Sequence, residues 1–141
     1  MEMERSEQTE KHGVIFAIVK DGIIQLEHRL KIGSALFGFN IVPGGTVEEG
    51  ETYEEALVRE MKEEYSITPK NYEFLGSDST VEDGSTAVVR HVFLITDWEG
   101  VPSNPEAKNG HIEATLEEAR KLCVHPISQR ILDMVEARLS R

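Results

Sequence analysis

The segment from 44 to 67, GGTVEEGETYEEALVREMKEEYSI, follows a glycine pair with a run of carboxylates at helical spacing. Glu60, Glu63 and Glu64 stand at positions i, i+3 and i+4, so on a helix their side chains project within roughly 100° of one another. Three like charges this close repel one another and need a compensating cation. A hard divalent ion such as Mg²⁺ or Mn²⁺ suits the role, because it takes carboxylate and carbonyl oxygens and leaves positions open for water and phosphates.

The alternative interpretation is a solvated acidic helix face, which is what most runs of this kind are. With Leu57 at 0° on a helical wheel, Glu64 falls at about −20° and borders the apolar stripe. An ionised carboxylate beside a core needs a partner. Arg59 is i−4 from Glu63, yet one guanidinium cannot neutralise the whole cluster. The spacing therefore favours a metal site over a merely acidic face.

The residues before the carboxylates predict where the helix begins. Thr52 and Glu55 form a capping-box pattern, which places the start of the helix at about Thr52. Pro43, Gly44 and Gly45 predict a sharp loop just before it. Glycines there allow positive φ and let a backbone carbonyl approach a ligand, although an ordinary turn is the alternative.

Taken together, this segment resembles the Nudix box, G-x5-E-x7-R-E-U-x-E-E-x-G-U, where U is a bulky aliphatic residue. Ser66 departs from the pattern, since it stands at the box glycine that ends the helix in a left-handed conformation. Gly44 and Glu48 agree with the looser GGxxExGE form. The positions that match the full pattern are Gly45, Glu51, Arg59, Glu60, Met61, Glu63, Glu64 and Ile67.

The resemblance implies an α/β fold, an α/β/α sandwich around a mixed β-sheet in which the box forms a loop-helix-loop. We expect a flexible tail over 1–11 and a single domain over 12–141. The expected strands are a hairpin, Gly13–Lys20 with Ile23–His28, and two later strands, Tyr72–Ser77 and a central Thr86–Thr96, separated by the polar loop DSTVEDGS.

The last third of the chain predicts two helices. Thr115 and Glu118 make a second capping box, opening a short helix through about Leu122. Pro126 suits the first turn of a final helix with an apolar stripe. Both helices are expected to cover the sheet.

As implied by the resemblance, Mg²⁺ (or Mn²⁺) is held by Glu60, Glu63, Glu64 and the Gly44 carbonyl. Arg59 orients the box carboxylates, and Gly45, Glu48 and Glu51 support them. We predict Glu63 as the general base with Glu106 as helper, and Glu99 and Glu113 are rivals of Glu106. Arg29, at the end of the second strand, is a weaker candidate for binding substrate phosphate.

The net charge of −11 over 141 residues argues against nucleic acid and anionic membrane as partners, since both call for a basic surface. A small-molecule nucleotide is the expected partner, because divalent ions can bridge its phosphates to the carboxylates. The single cysteine, Cys123, and a polar N-terminal segment without a secretory pattern favour the cytoplasm. Many relatives dimerise, which leaves a homodimer open.

Three functional hypotheses remain. The favoured one is metal-dependent hydrolysis of a nucleoside diphosphate-linked compound, with a (deoxy)nucleoside triphosphate giving a monophosphate and pyrophosphate. The second is the same chemistry on ADP-ribose, a nucleotide sugar or a dinucleoside polyphosphate. The third is a noncatalytic nucleotide-binding regulatory Nudix module, which the complete set of box carboxylates disfavours.

Overall fold

The computed structural model describes residues 9–30, 36–82, 84–103 and 110–141. Among them no helix combines the length and hydropathy that a membrane span requires. The elements in chain order are β1 Thr9–Lys20, β2 Ile23–His28, β3 Asn40–Ile41, β4 Gly44–Thr46, α1 Tyr53–Tyr65, β5 Thr68–Glu82, β6 Thr86–Glu99, β7 Gly110–Thr115, α2 Leu116–Leu122 and α3 Pro126–Leu139.

The strands form one mixed sheet in the order β3-β2-β1-β6-β5, with β4 paired to β1 and β7 paired to β2. The pairing of β1 with β6 is parallel and the other pairings are antiparallel. The predicted hairpin is confirmed: Asp21 and Gly22 both have positive φ, as a two-residue turn of the I′ type requires. The predicted central position of β6 is confirmed as well.

Two apolar clusters lie on opposite faces of the sheet. One packs α1 against Phe16 and Ile18 of β1, and the other packs α2 and α3 against Ala17 and Val19. Consecutive residues of a strand point to opposite faces, so a single apolar strand serves both layers. The predicted α/β/α sandwich is confirmed.

The prediction that the polar segment DSTVEDGS forms a loop is wrong for most of its length. Strand β5 starts at Thr68 and runs to Glu82, so most of that segment pairs with β6, including Asp78 opposite Arg90. Its polar residues lie on an edge strand, where backbone pairing and ion pairs replace apolar burial. Strand β1 likewise starts at Thr9, inside the segment expected to be a tail, and residues 1–8 lie outside the described part.

Candidate functional site

Helix α1 carries four of the predicted site residues, Arg59, Glu60, Glu63 and Glu64, and its two ends are fixed by local side-chain and backbone contacts. Thr52 Oγ1 accepts a hydrogen bond from the Glu55 backbone N–H at 3.0 Å, and Glu55 Oε1 accepts one from the Thr52 N–H at 2.9 Å. The predicted capping box is therefore confirmed. At the other end Ser66 has φ 60° and ψ 31°, the left-handed conformation that the box glycine would adopt without strain.

Arg59 connects the helix to the loop before it. Its Nε donates to Glu51 Oε2 at 2.7 Å, and its Nη2 donates to Glu51 Oε1 and to the Thr46 carbonyl, both at 2.9 Å. The other amino group, Nη1, donates to Glu60 Oε2 at 3.0 Å and to Glu63 Oε1 at 3.2 Å. One guanidinium thus holds β4, the following loop and two helical carboxylates in one arrangement.

The charges around Arg59 do not balance. Glu48 Oε2 lies 3.6 Å from Arg59 Nη1, so with Glu51, Glu60 and Glu63 four carboxylates share one positive charge. Hydrogen bonds from Arg59 lower the pKa of Glu51 to about 2. Burial raises the pKa of Glu60 in spite of Arg59. A buried carboxylate that its partner does not fully compensate is suited to an additional cation.

Gly44 and Gly45 do not form the positive-φ turn that the sequence suggested. Both belong to β4, which pairs with Val14 and Ile15 of β1, and neither has positive φ. Close approach explains them instead: a Cβ at Gly45 would overlap the Glu60 carboxylate, and a Cβ at Gly44 would overlap the Val14 carbonyl oxygen. Gly45 therefore lets the Glu60 carboxylate lie directly against the β4 backbone, and Gly44 lets β4 lie close to β1.

Of the predicted metal ligands, Glu60 lies against Gly45 of β4, and Glu63 shares the Arg59 guanidinium with Glu60. Glu60 is buried, Glu64 is half-buried and Glu63 is exposed, so Glu60, and not Glu64, is the deepest of the three predicted metal ligands on the helix. Within the described ranges no three acidic, histidine or cysteine side chains already surround a single point, and both Glu60 and Glu63 turn to Arg59. The donor set of carboxylates beside a backbone carbonyl nevertheless fits a hard ion such as Mg²⁺.

A cavity of about 730 Å³ opens beside this cluster, within the size range of small-molecule sites. It extends from the backbone of Gly44 and Gly45, past Arg29, to Arg90 on β6 and Ser128 on α3. Carboxylates of the box loop, Glu48 and Glu51, stand at its rim. The acidic cluster and the cavity together can hold a ligand that has both a phosphate chain and an organic part.

Comparison with known proteins shows which family this fold and site belong to. The NUDIX domain model matches residues 12–135, which include every described element except the start of β1 and the end of α3.

The chain belongs to the NUDIX family.

Two relatives of known name share about half of this Nudix chain. The ADP-ribose pyrophosphatase of Methanocaldococcus jannaschii is 38% identical over 84 residues, which are 56% of this chain and 50% of the relative. The 8-oxo-dGTP diphosphatase of Escherichia coli K12 is 38% identical over 68 residues, 48% of this chain and 52% of the relative. The chain thus spans about half the length of the curated relatives it matches.

Solved structures match over nearly the whole Nudix domain. The solution structure of the E. coli ORF135 protein has a TM-score of 0.80 at 26% identity and covers 95% of this chain and 94% of its own. The crystal structure of a MutT NUDIX hydrolase from Burkholderia pseudomallei has a TM-score of 0.77 at 25% identity and covers 90% and 98%.

Three acidic residues outside the box are candidates for assisting the general base. Glu106 lies outside the described residues. Glu99, at the end of β6, and Glu113, on β7, are both exposed. Neither is among the described residues that line the cavity. Arg90 and His91 are consecutive in β6 and point to opposite faces of the sheet, and of these two residues only Arg90 lines the cavity.

A hydrogen-bonded pair of histidines at the start of α1 was not predicted. His12 Nδ1 lies 2.9 Å from His91 Nε2, and the Tyr53 ring, at the first residue of α1, stacks on His91 with the ring centres 3.7 Å apart. Ser77 Oγ lies 2.9 Å from His91 Nδ1. Burial, and then the neighbouring His12, lower the pKa of His91. This cluster of rings fixes the helix start against the sheet.

Glu27 on β2 is the second feature that sequence reasoning missed. It is a buried carboxylate beside Arg29, on the face of β2 opposite the apolar Ile24 and Leu26. Burial and the charges of Glu27 and Glu64 raise the pKa of Tyr65 above its ordinary value, which keeps this phenol protonated. The alternation of Gln25 and Glu27 with apolar residues in IIQLEH was the available signal.

Proposed function

We propose that this chain hydrolyses nucleoside diphosphate-linked compounds with the help of a divalent metal ion, and that the favoured substrate is a (deoxy)nucleoside triphosphate, cleaved to a monophosphate and pyrophosphate. The observation that carries the proposal is the excess of carboxylates over the single charge of Arg59, next to a cavity of suitable size. A phosphate chain would be repelled by such a cluster unless a cation lay between them.

Each box residue has a task in this proposal. Glu60 and Glu64, with the Gly44 carbonyl and Glu63, would hold Mg²⁺ or Mn²⁺. When bound, the metal neutralises the diphosphate and lowers the pKa of a coordinated water. Arg59 keeps the carboxylates in place through its bonds to Glu51 and Glu60.

Glu63 is the proposed general base. Its side chain is 53% exposed and has one hydrogen bond to Arg59 Nη1 at 3.2 Å, so it can turn toward a water molecule without disturbing the core. It would accept a proton from that water as the oxygen attacks phosphorus and the bond to the leaving phosphate oxygen breaks. Phosphoryl transfer depends mainly on positioning and charge stabilisation, so the proposal needs no covalent nucleophile.

The second candidate function is the same reaction on ADP-ribose, a nucleotide sugar or a dinucleoside polyphosphate. The names of the two relatives, an ADP-ribose pyrophosphatase and an 8-oxo-dGTP diphosphatase, support both substrate classes. A binding-only module is disfavoured because Glu60, Glu63 and Glu64 are all present.

The test is a screen of nucleoside di- and triphosphates, 8-oxo-dGTP, ADP-ribose and dinucleoside polyphosphates with Mg²⁺, with products identified by mass. We expect monophosphate and pyrophosphate from a triphosphate, and loss of turnover when EDTA is added. Turnover that persists with EDTA would overturn the metal role. Tight nucleotide binding without any product would favour the regulatory module.

A further inference from the structure

The residues around Arg29 suggest how the cavity orients a phosphate chain. Arg29 and Gly44 both line the cavity. The backbone of Arg29 is fixed, because its N–H donates to the Phe39 carbonyl at 2.9 Å and its carbonyl accepts from the Gly38 N–H at 2.8 Å. The base of this side chain is therefore anchored by the chain that leads into β3. The direction in which the Arg29 guanidinium points depends on the side chains that contact it.

The neighbour is Glu27, two residues earlier on the same face of β2. Glu27 Oε2 lies 2.9 Å from Arg29 Nε, and the Glu27 side chain is only 8% exposed. This Nε is buried and is not aligned with an acceptor for a hydrogen bond, so the contact is an ion pair. Because the guanidinium is a rigid planar fork, an Nε edge turned to Glu27 leaves the terminal amino groups on the opposite edge.

Stability alone does not account for a carboxylate at this position. Removing an ionised carboxylate from water is costly, and replacing a buried ion pair by apolar residues is often neutral or stabilising. The other face of β2 carries Ile24 and Leu26 in the apolar core, so apolar residues are compatible with this strand. A role in placing Arg29 explains the buried charge.

We propose that Glu27 is a positioning residue: it holds the Nε edge of the Arg29 guanidinium, so that the terminal amino groups meet the non-bridging oxygens of the substrate's diphosphate beside Gly44. This inference rests on the proposed function, and it deepens it by assigning phosphate orientation to a residue outside the box. Planar guanidinium donors match phosphate oxygens two at a time, so a rotated fork loses affinity even though its charge stays.

The test is a double-mutant cycle on KM and kcat with the triphosphate that the wild type hydrolyses best. Glu27→Gln is expected to raise KM about tenfold, the effect of losing one charge-assisted hydrogen bond from Arg29 to the substrate phosphate, with kcat changed much less. Arg29→Met should raise KM at least as much. In the Arg29→Met background, Glu27→Gln should add nothing, because the residue it acts through is gone.

Glu27→Asp is the second variant, and it keeps the cycle decisive if Glu27→Gln does not fold. Its shorter side chain keeps the charge, so it should raise KM less than Glu27→Gln does, and only when Arg29 is present. Glu73→Gln is the matched control: it breaks an exposed pair with Arg138, whose Nε lies 2.8 Å from Glu73 Oε1, and should leave KM unchanged.

An unchanged KM in the Glu27 variants, or an equal increase with and without Arg29, would overturn the positioning role. A fall in kcat at constant KM would overturn it too, since it would place Glu27 at the chemical step. These outcomes leave hydrolysis by the wild type intact. A wild type that hydrolyses none of the screened compounds would instead remove the proposed function and this inference with it.

Discussion

Arg59 and Arg120 each contact more than one carboxylate, and only one of these two groups has the properties of a binding site. Arg59 on α1 contacts Glu48, Glu51, Glu60 and Glu63. Arg120 on α2 contacts two acids of α3, Asp133 and Glu136.

The difference lies in charge balance and burial. The Arg120 group completes its hydrogen bonding with neutral partners, the Gln129 carbonyl at 3.0 Å and side-chain oxygen at 2.8 Å. Its acids are 67% and 38% exposed, whereas the Glu60 side chain is 11% exposed. Acid-rich contacts are thus ordinary on a protein surface. An uncompensated carboxylate held inside the fold beside a cavity is what indicates a cation site.

The largest expected effect separates the two groups by activity. Glu64→Gln replaces a proposed charged ligand by a neutral amide, so Mg²⁺-dependent turnover should fall by several orders of magnitude while the fold is preserved. Glu136→Gln, the matched change beside Arg120, should leave turnover near the wild-type value. Steady-state kinetics with circular dichroism as the folding check measure both, and near-wild-type turnover in Glu64→Gln would remove the metal assignment.

A second comparison concerns stability. Arg59→Met leaves the buried Glu60 without its partner and should lower the free energy of unfolding by about 3 kcal/mol. Arg120→Met breaks a largely exposed network and should cost about 1 kcal/mol. Urea unfolding of both variants without metal tests this, and equal losses would mean that burial does not distinguish the two groups.

The pH dependence of stability tests the ion pairs of the Arg59 group. The pKa of Glu51 is lowered to about 2 by Arg59, so the folded state releases this proton more readily than the unfolded chain. The resulting stabilisation is complete above the ordinary pKa of about 4.5 and is lost as pH falls from there toward about 2. Glu51→Gln should therefore have a lower stability at neutral pH and a flatter decline through this window. Thermal melts of the wild type and of Glu51→Gln at several pH values measure this decline. If stability fell in parallel with pH in both proteins, the lowered pKa of Glu51 would be contradicted.

The smallest effect concerns how the helices end. Ser66 ends α1 at φ 60°, and Ser66→Gly should relieve this strain and stabilise the protein by up to about 1 kcal/mol. Ser140 ends α3 at φ −84°, where glycine removes no strain, so Ser140→Gly should give no gain. Turnover should change little in either variant. A large change of activity in Ser66→Gly would show that the helix exit takes part in catalysis.

Local patterns in the sequence predicted much of this molecule. Thr52 with Glu55 and Thr115 with Glu118 located two helix starts, because a capping box is complete within four residues. The two-residue turn at Asp21-Gly22 located the first hairpin, because this signal too is contained in a few consecutive residues.

The errors concern long-range contacts. Strand β5 continues through polar residues because β6 pairs with it along this stretch and Arg90 contacts Asp78, and no pattern within the polar residues themselves indicates either contact. Gly45 is needed for the approach of Glu60, fifteen positions away. The contact between His12 and His91 forms only when β1 pairs with β6, and the burial of Glu27 likewise depends on the fold. Local signals thus described the helix that carries the box, while the surroundings of its charges required the fold.

The most direct test of the central claim is a Mn²⁺ titration followed by electron paramagnetic resonance, which measures the free ion. We predict saturable binding by the wild type and by an Asp133→Asn/Glu136→Gln variant, and loss of that binding in Glu60→Gln/Glu64→Gln. Equal Mn²⁺ binding by all three proteins would show that the carboxylates of α1 hold no metal ion, and would contradict the account.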